Sequence, residues 1–195
     1  MKKNNIDFKT SSYGFIDGSQ LPCDDYYMNQ RLDYKDIEWA VMYKFNDIAN
    51  NHCAATLITN LCIYFQKQGY SGLLIDNSIR KTFEYIHQVV GNGPVFTTAK
   101  AAKRYFAKCG YLLNYRMIYN YESIKEAIDL GMPIGILLAE KPFEWHWVLG
   151  VGYLESSDKK FIRIINAWQN SDDSLYMLNH GSKFISAVKY SVKAM

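Results

Sequence analysis

Cys53 lies where a polar loop gives way to an apolar segment, in the stretch ANNHCAATLITNLCIYF. A cysteine attacks as its thiolate, and the unpaired N–H groups and dipole of a helix N-terminus stabilise that anion. If Cys53 begins a helix, its own backbone N–H can also face the oxyanion that forms when an acyl carbon is attacked. The position therefore indicates a nucleophile, although an unpaired cysteine is more often a small buried apolar residue.

A thiol nucleophile requires a base, and His146 is the best candidate among the four histidines. It opens the apolar segment HWVLGVGY at its polar end, 93 residues after Cys53. An imidazole base in turn requires an acceptor that orients it, and Asn166 ends the next apolar segment, FIRIINAW, 20 residues further along. A hairpin between the two segments would bring His146 and Asn166 together, and the sequence leaves its register open.

These residues also have structural interpretations. His146 could be a satisfied histidine between its two neighbouring tryptophans, and Asn166 could bond backbone groups at a strand end. His52 is adjacent to Cys53, but consecutive residues at a helix start point apart, so we expect it either to be exposed or to have a modest influence on the pKa of the thiol. The other polar candidates are expected to have no chemical role: Cys62, Cys109, His87, His180 and the loop acid Glu144.

Four helices are predicted in the first two thirds of the chain. From Cys53 the apolar positions recur at intervals of three and four residues until Gly69, which predicts a largely buried helix. Three further segments combine a capping residue, the same period and a closing glycine: DNSIRKTFEYIHQVVG, TTAKAAKRYFAKCG and NYESIKEAIDLG. Their expected capping residues are, in order, Asp76 or Asn77, Thr97 or Thr98, and Asn120 or Ser123.

The last third of the chain predicts an antiparallel sheet, because short apolar or alternating segments there are separated by polar turns: IGILLA, HWVLGVGYLE, KFIRIINAW, SLYML and FISAVKYSV. Helices followed by strands indicate an α+β domain in which the opening helix packs against the later sheet. We expect a single domain over residues 37–195, with a strand or short apolar segment over residues 37–45. Residues 1–36 are polar and aperiodic, and we expect a polar N-terminal extension lying on the domain surface.

Composition argues against several classes of function. A formal net charge of +3 with dispersed Lys and Arg gives no indication of nucleic-acid binding. No apolar run approaches the roughly 20 residues that span a bilayer, and the basic start MKKNN lacks the apolar core of a signal peptide. We expect a cytoplasmic protein if Met1 is the natural start, and an exported one if a leader was removed. The cysteines show no zinc-ligand spacing, and at most one disulfide, Cys23 to Cys109, is plausible.

Taken in order, these motifs resemble those of the papain-like cysteine peptidases. NNHCAATLITN resembles the segment around the nucleophile of that superfamily, WHWVLGVGYLE its histidine strand and IINAW its Asn-x-Trp motif. Within the superfamily, the chain is most similar to the bacterial branch of double-glycine leader peptidases and their stand-alone relatives. The resemblance extends from Tyr43 to Val192 and implies a papain-like α+β fold, with the nucleophile helix packed against a C-terminal antiparallel sheet.

The resemblance also implies a role for each matching residue. Cys53 would be the nucleophile, and His146 would be the general base and then the acid. Asn166 would hold the imidazole tautomer, while Trp168 would shield that hydrogen bond from water. The superfamily places an oxyanion-hole glutamine six residues before the cysteine, where this sequence has Asp47, and a carboxylate would repel an oxyanion. The candidate replacements, with the preferred residue first, are Asn46, Asn50 and Asn51.

The implied reaction is hydrolysis of a peptide or other amide bond through a thioester acyl-enzyme, with no metal or organic cofactor. The substrate could be a peptide, a peptide leader or another amide. Two alternatives stay open: an acyltransferase or amidase with the same triad, and a catalytically silent papain-like domain that binds peptides. The absence of the glutamine favours the silent domain. The sequence does not indicate an oligomeric state.

Overall fold

The computed structural model describes residues 12–21, 28–168, 174–178 and 180–195. Within these ranges the helices are α1 (Cys53–Lys67), α2 (Ile79–Val90), α3 (Thr98–Lys108) and α4 (Tyr121–Asp129). The strands are β1 (Phe15–Asp17), β2 (Met28–Arg31), β3 (Tyr111–Ile118), β4 (Ile134–Lys141), β5 (Glu144–Glu155), β6 (Lys160–Ile165), β7 (Ser174–Met177) and β8 (Lys183–Ala194). No helix in these ranges has the length and apolar character needed to cross a membrane.

All eight strands belong to one antiparallel sheet. Its order is β1-β7-β6-β5-β4-β8-β3, and β2 pairs separately with β5. The first half of β5 pairs with β4, its second half pairs with β2, and β6 lies along its other edge. The close approach of β2 requires a glycine at position 152, because a Cβ there would lie 2.5 Å from the carbonyl oxygen of Gln30. The strand that carries His146 is therefore held by three neighbours.

The helix α1 lies at the centre of the molecule. Every residue from Cys53 to Phe65 is buried, so other elements enclose the helix on all sides. It packs on β5 and against α2 and α3. Asn60 ties the preceding segment to α1: its Oδ1 accepts from the Ala40 N–H at 2.8 Å, and its Nδ2 donates to the Ala40 carbonyl at 3.1 Å. These contacts fix the chain that leads into Cys53.

The predicted α+β fold is confirmed, with the helix that begins at Cys53 packed against an antiparallel sheet. The four predicted helical segments are all helical. Asn120 caps α4 as expected, since its side chain accepts from the Ser123 N–H at 2.8 Å. For α2 the capping residue is Ser78 instead of Asp76 or Asn77, and its side chain accepts from the Lys81 N–H.

The structure differs from the sequence expectations in three places. Where residues 1–36 are described, β1 and β2 join the sheet and Phe15 and Ile16 are buried, so this part is more than a surface extension. Residues 37–45 form no strand, and end in a 3₁₀ helix at Met42–Phe45. The strand β3 was not expected, because most of its residues are exposed and it pairs with β8 alone. Short or edge strands lack the alternation that reveals a half-buried strand.

Candidate active site

Cys53 is the first residue of α1, and its thiol is almost fully buried. Burial raises the pKa of this thiol to about 11, while the backbone N–H groups of Trp147, Ala54 and Cys53 itself act in the opposite direction. The same N–H groups would stabilise a thiolate once it formed. Because the Trp147 N–H interacts with the sulfur, Cys53 lies against β5 at the residue that follows His146, although the resting group is a neutral thiol.

His146 is the third residue of β5 and is also almost fully buried. Its Nε2 lies 2.8 Å from the backbone carbonyl oxygen of Asn166. A carbonyl only accepts, so Nε2 carries the proton and Nδ1 is the acceptor of the neutral ring. Burial lowers the pKa of His146 to about 4, and the bond to Asn166 offsets that effect only in part. The imidazole therefore has the protonation state of a general base near neutral pH.

Asn166 follows β6, the neighbour of β5, so the two strand ends meet as a hairpin would bring them. The acceptor for His146 is the backbone carbonyl of Asn166, an atom that the sequence motif leaves unspecified. That amide bonds its own loop: Oδ1 accepts from the Trp168 N–H at 2.8 Å, and Nδ2 donates to Oγ of Ser174 at 2.9 Å. The sequence motif identifies Asn166 as the residue, but it does not indicate whether its backbone or its side-chain carbonyl oxygen faces the His146 imidazole.

Trp168 covers the hydrogen bond between His146 and Asn166. Its ring stacks on the imidazole with centroids 4.2 Å apart and planes 19° from parallel. The loop that carries it is tied to the helical side of the site, because the Met42 N–H donates to the Ala167 carbonyl at 2.7 Å. The aromatic face therefore lies directly against the imidazole.

The oxyanion candidates lie in the loop before α1. Asn46 is exposed and ends the 3₁₀ helix, and no hydrogen bond in the described part of the chain joins it to Cys53. Asp47, at the expected glutamine position, forms an ion pair with Arg80 of α2. That guanidinium holds the pKa of the Asp47 carboxyl below its usual range. The carboxylate charge is therefore offset by a cation.

His52 differs from its expected environment. It is fully buried, and its Nδ1 lies 3.2 Å from Oγ1 of Thr56. The ring stands edge-on to Phe83 of α2 at 5.0 Å, and burial lowers the pKa of the imidazole. The expectation of an exposed side chain is wrong, because α2 covers the start of α1.

The remaining candidates lie outside the site or on its margin. Cys62 is fully buried within α1, and Cys109 is half-buried after α3. Cys23, the possible disulfide partner of Cys109, lies outside the described residues. Glu144 is exposed at the start of β5 and forms an ion pair with Lys141 at 3.3 Å.

Two aromatic residues of the site were missed by the sequence analysis. Tyr13 lies 5.6 Å from the His146 ring and 5.3 Å from the Trp168 ring, measured between centroids. Phe15 lies 5.4 Å from Trp168. The signal in the sequence is weak: the stretch SYGFI is short, shows no period and lies in a polar N-terminal region that also contains the pair Tyr26 and Tyr27.

Comparison with known proteins bears on the fold. No family model matches the chain, and no curated protein matches its sequence. Among solved structures, the chain is similar to a protein from Bacillus anthracis described as a "putative C39-like peptidase". The TM-score is 0.54 and the identity 12%, and the match covers 86% of this chain and 100% of that chain. The protein therefore has the fold of a C39-like, papain-like cysteine peptidase.

Proposed function

We propose that this protein is a papain-like cysteine peptidase that cleaves an amide bond through a thioester on Cys53. One observation carries the proposal: the sulfur at the start of α1 meets the backbone N–H of Trp147, next to a histidine whose Nε2–H is fixed by the Asn166 carbonyl. This arrangement supports a nucleophile paired with a base of defined tautomer.

In the proposed first half-reaction, the Cys53 thiol gives its proton to Nδ1 of His146. The thiolate then attacks the substrate carbonyl carbon, and the C=O electron pair becomes an oxyanion that the Cys53 N–H stabilises. When this intermediate collapses, the C–N bond breaks and His146 gives its proton to the leaving amine. A thioester remains on Cys53, and the hydrogen bond from Nε2 to Asn166 holds the ring through the charged stage.

In the second half-reaction, His146 takes a proton from water, and the oxygen attacks the thioester. The C–S bond breaks, the acid product leaves, and His146 returns its proton to the Cys53 sulfur, which restores the thiol. We propose Asn46 as the second oxyanion donor, supported by its place in the loop that leads to Cys53. The ion pair with Arg80 supports this choice, because it offsets the charge of Asp47.

We propose a peptide substrate. The finer assignment, to the bacterial branch that includes double-glycine leader peptidases, rests on the motifs around Cys53, His146 and Asn166. A specific observation also favours a second candidate, a catalytically silent peptide-binding domain: the thiol and the imidazole are both buried and both neutral. An acyltransferase would share the first half-reaction and differ in the nucleophile that receives the acyl group.

Cleavage of a library of internally quenched peptides, including Gly-Gly sequences, tests the proposal. Cys53→Ala and His146→Ala should each lower the cleavage rate about a thousandfold or more, because each removes a member of one catalytic unit. Asn166→Ala should lower it less than His146→Ala, because the backbone carbonyl that bonds the imidazole remains. Cys109→Ala, which alters a cysteine outside the site, should stay within about twofold of the wild type.

Mass spectrometry after rapid acid quench should detect an acyl adduct on Cys53 in the wild type. Added hydroxylamine separates hydrolysis from acyl transfer, since a transferase would form hydroxamate in preference to acid. Peptide binding without any cleavage that depends on Cys53 would overturn the proposal and leave the silent domain.

A further inference from the structure

We infer that Tyr13 is a positioning residue of the candidate active site: it covers His146 and keeps the Cys53–His146 pair closed to a polypeptide until the N-terminal segment shifts. The N-terminal segment is defined here as residues 12–17. The inference rests on the proposed function for its catalytic meaning, while the geometry that supports it concerns access to a thiol.

The contacts of Tyr13 place its ring over the machinery of the site. It lies 5.6 Å from the imidazole of His146 and 5.3 Å from the indole of Trp168. Phe15 packs behind it, 6.0 Å from Tyr13 and 6.5 Å from His146. The imidazole therefore stacks on Trp168 and also meets an aromatic ring from the N-terminal segment.

Tyr13 is itself 8% exposed, and its hydroxyl interacts electrostatically with the thiol and with two acids at the margin of the site. Burial raises the pKa of this hydroxyl to about 12, and electrostatic interactions with Glu140, with Cys53 and with Glu144 act in the same direction. The two acids are exposed on the β4–β5 hairpin, and the ring of Tyr13 packs beside the buried imidazole of His146. Cys53 is 1% exposed and His146 is 3% exposed. A substrate carbonyl has to touch the sulfur, which requires this cover to move.

The N-terminal segment is held by a small number of specific contacts. Oγ of Ser182 donates to the Tyr13 carbonyl at 2.8 Å, and Gly14 crosses so close to Gly181 that neither could carry a Cβ. The strand β1 pairs with β7 over three residue pairs only, at the edge of the sheet. Tyr13 has φ 62°, a left-handed conformation that is unfavourable for an aromatic residue. A short ladder and a strained residue make local release easier than unfolding of the core.

Alkylation of Cys53 tests the inference without any need for a substrate. Iodoacetamide and a bulky maleimide are reacted with the wild type, Tyr13→Ala, Tyr13→Phe and the control Tyr119→Ala, which removes a tyrosine that is 66% exposed elsewhere. Peptide mass spectrometry follows Cys53 and the fully buried Cys62. Tyr13→Ala should alkylate at Cys53 at least about tenfold faster, with a larger gain for the bulky reagent, because the local opening equilibrium is removed.

Tyr13→Phe keeps the ring and should restore the slow rate, and Tyr119→Ala should match the wild type. The pH profile gives a second readout: in Tyr13→Ala the midpoint for Cys53 alkylation should move to lower pH, because water reaches the pair. If Tyr13→Ala fails to fold, Ser182→Ala serves instead, since it removes the anchor of the Tyr13 carbonyl and keeps the ring.

Two outcomes overturn the inference. Cys53 could react no faster in Tyr13→Ala or Ser182→Ala than in the wild type, which would mean that Tyr13 is no barrier. Alternatively, Cys53 and Cys62 could accelerate together, which would mean that Tyr13 only stabilises the whole fold. If no variant cleaves any peptide of the library, that result counts against the proposed function. The difference in Cys53 alkylation rate between Tyr13→Ala and the wild type would still support the inference about Tyr13.

Discussion

Cys53 and His146 are both held in their neutral forms, because burial outweighs the polar contacts that favour the charged forms. The N–H groups at the start of α1 and the carbonyl of Asn166 are already placed to stabilise a thiolate and an imidazolium. What opposes the charged pair is the absence of water around it. Proton transfer between the two residues should therefore accompany substrate entry or opening of the site.

Protonation of His146 should weaken the fold in a defined pH range. Its pKa is about 4 in the folded protein against an ordinary 6.5, so between these values the unfolded chain binds more protons. As pH decreases from about 6.5 to about 4, the protonation of His146 should lower the free energy of unfolding by about 3 kcal/mol. Above about pH 6.5, His146 should make no contribution to the pH dependence. Urea denaturation at several pH values measures the effect.

His146→Gln provides the comparison, because glutamine does not titrate. The variant should lose about 3 kcal/mol less than the wild type between about pH 7.5 and about pH 4. His52 is buried with a lowered pKa and acts in the same direction, but it is present in both proteins and cancels. Equal losses in the two proteins would show that another group senses the acid.

At the residue scale, the sequence could nominate Cys53, His146 and Asn166, because each stands at the end of an apolar segment and their order resembles that of the papain-like peptidases. It could not identify Tyr13, whose role depends on a crossing between segments far apart in the chain. It could not decide between the side chain and the backbone carbonyl of Asn166, because that choice follows from the loop that Trp168 and Ser174 fix.

At the scale of elements, strong periodicity made α1 and β5 predictable. Thirteen consecutive buried residues in α1 and ten in β5 leave little freedom for another structure. The elements that were not predicted are short or lie at the sheet edge: β1 has three residues, β2 has four, and β3 pairs with one neighbour. Pairing with partners distant in the chain stabilises such strands, so local pattern contains little information about them.

The crossing of the N-terminal segment over the loop before β8 gives a prediction at this scale. In Gly181→Ala the new Cβ would overlap the Cα of Gly14 and lie 2.8 Å from its nitrogen, in addition to the strain of φ 76°. The backbone must separate there. The free energy of unfolding should therefore fall by several kcal/mol less than it does when a core side chain is truncated. Cys53 should nevertheless react with iodoacetamide about tenfold faster.

Gly72→Ala is the matched control, because its φ is 79° and nothing lies within 4 Å of the added Cβ. It should show only the cost of a left-handed alanine, about 1 kcal/mol, with the alkylation rate of Cys53 unchanged. Identical alkylation in Gly181→Ala and Gly72→Ala would mean that the crossing does not hold the cover in place. Denaturation curves recorded on both variants separate the two effects.

At the scale of the whole molecule, two cysteines of the same helix report different depths of protection. Cys62 is enclosed by the core on all sides of α1, whereas Cys53 is the first residue of the helix, and we infer that the N-terminal segment covers it. Exposure of Cys62 requires α1 to separate from the sheet, from α2 and α3, or from both. Either separation would disrupt the hydrophobic core. If the N-terminal segment is that cover, exposure of Cys53 should require only that residues 12–17 move.

These depths predict two different responses to denaturant. The free energy of the opening that exposes Cys62 should equal the global free energy of unfolding and fall with urea at the full slope, since that slope scales with the surface exposed. The free energy of the opening that exposes Cys53 should be smaller at zero urea and should change little with urea concentration. It should become equal to the value for Cys62 only near the midpoint of global unfolding. Thiol labelling by mass spectrometry over a urea series, under conditions where reclosing is fast, measures both in one sample. A single line for both cysteines would mean that the N-terminal segment opens only when the whole core does, and the site would then need substrate itself to displace Tyr13.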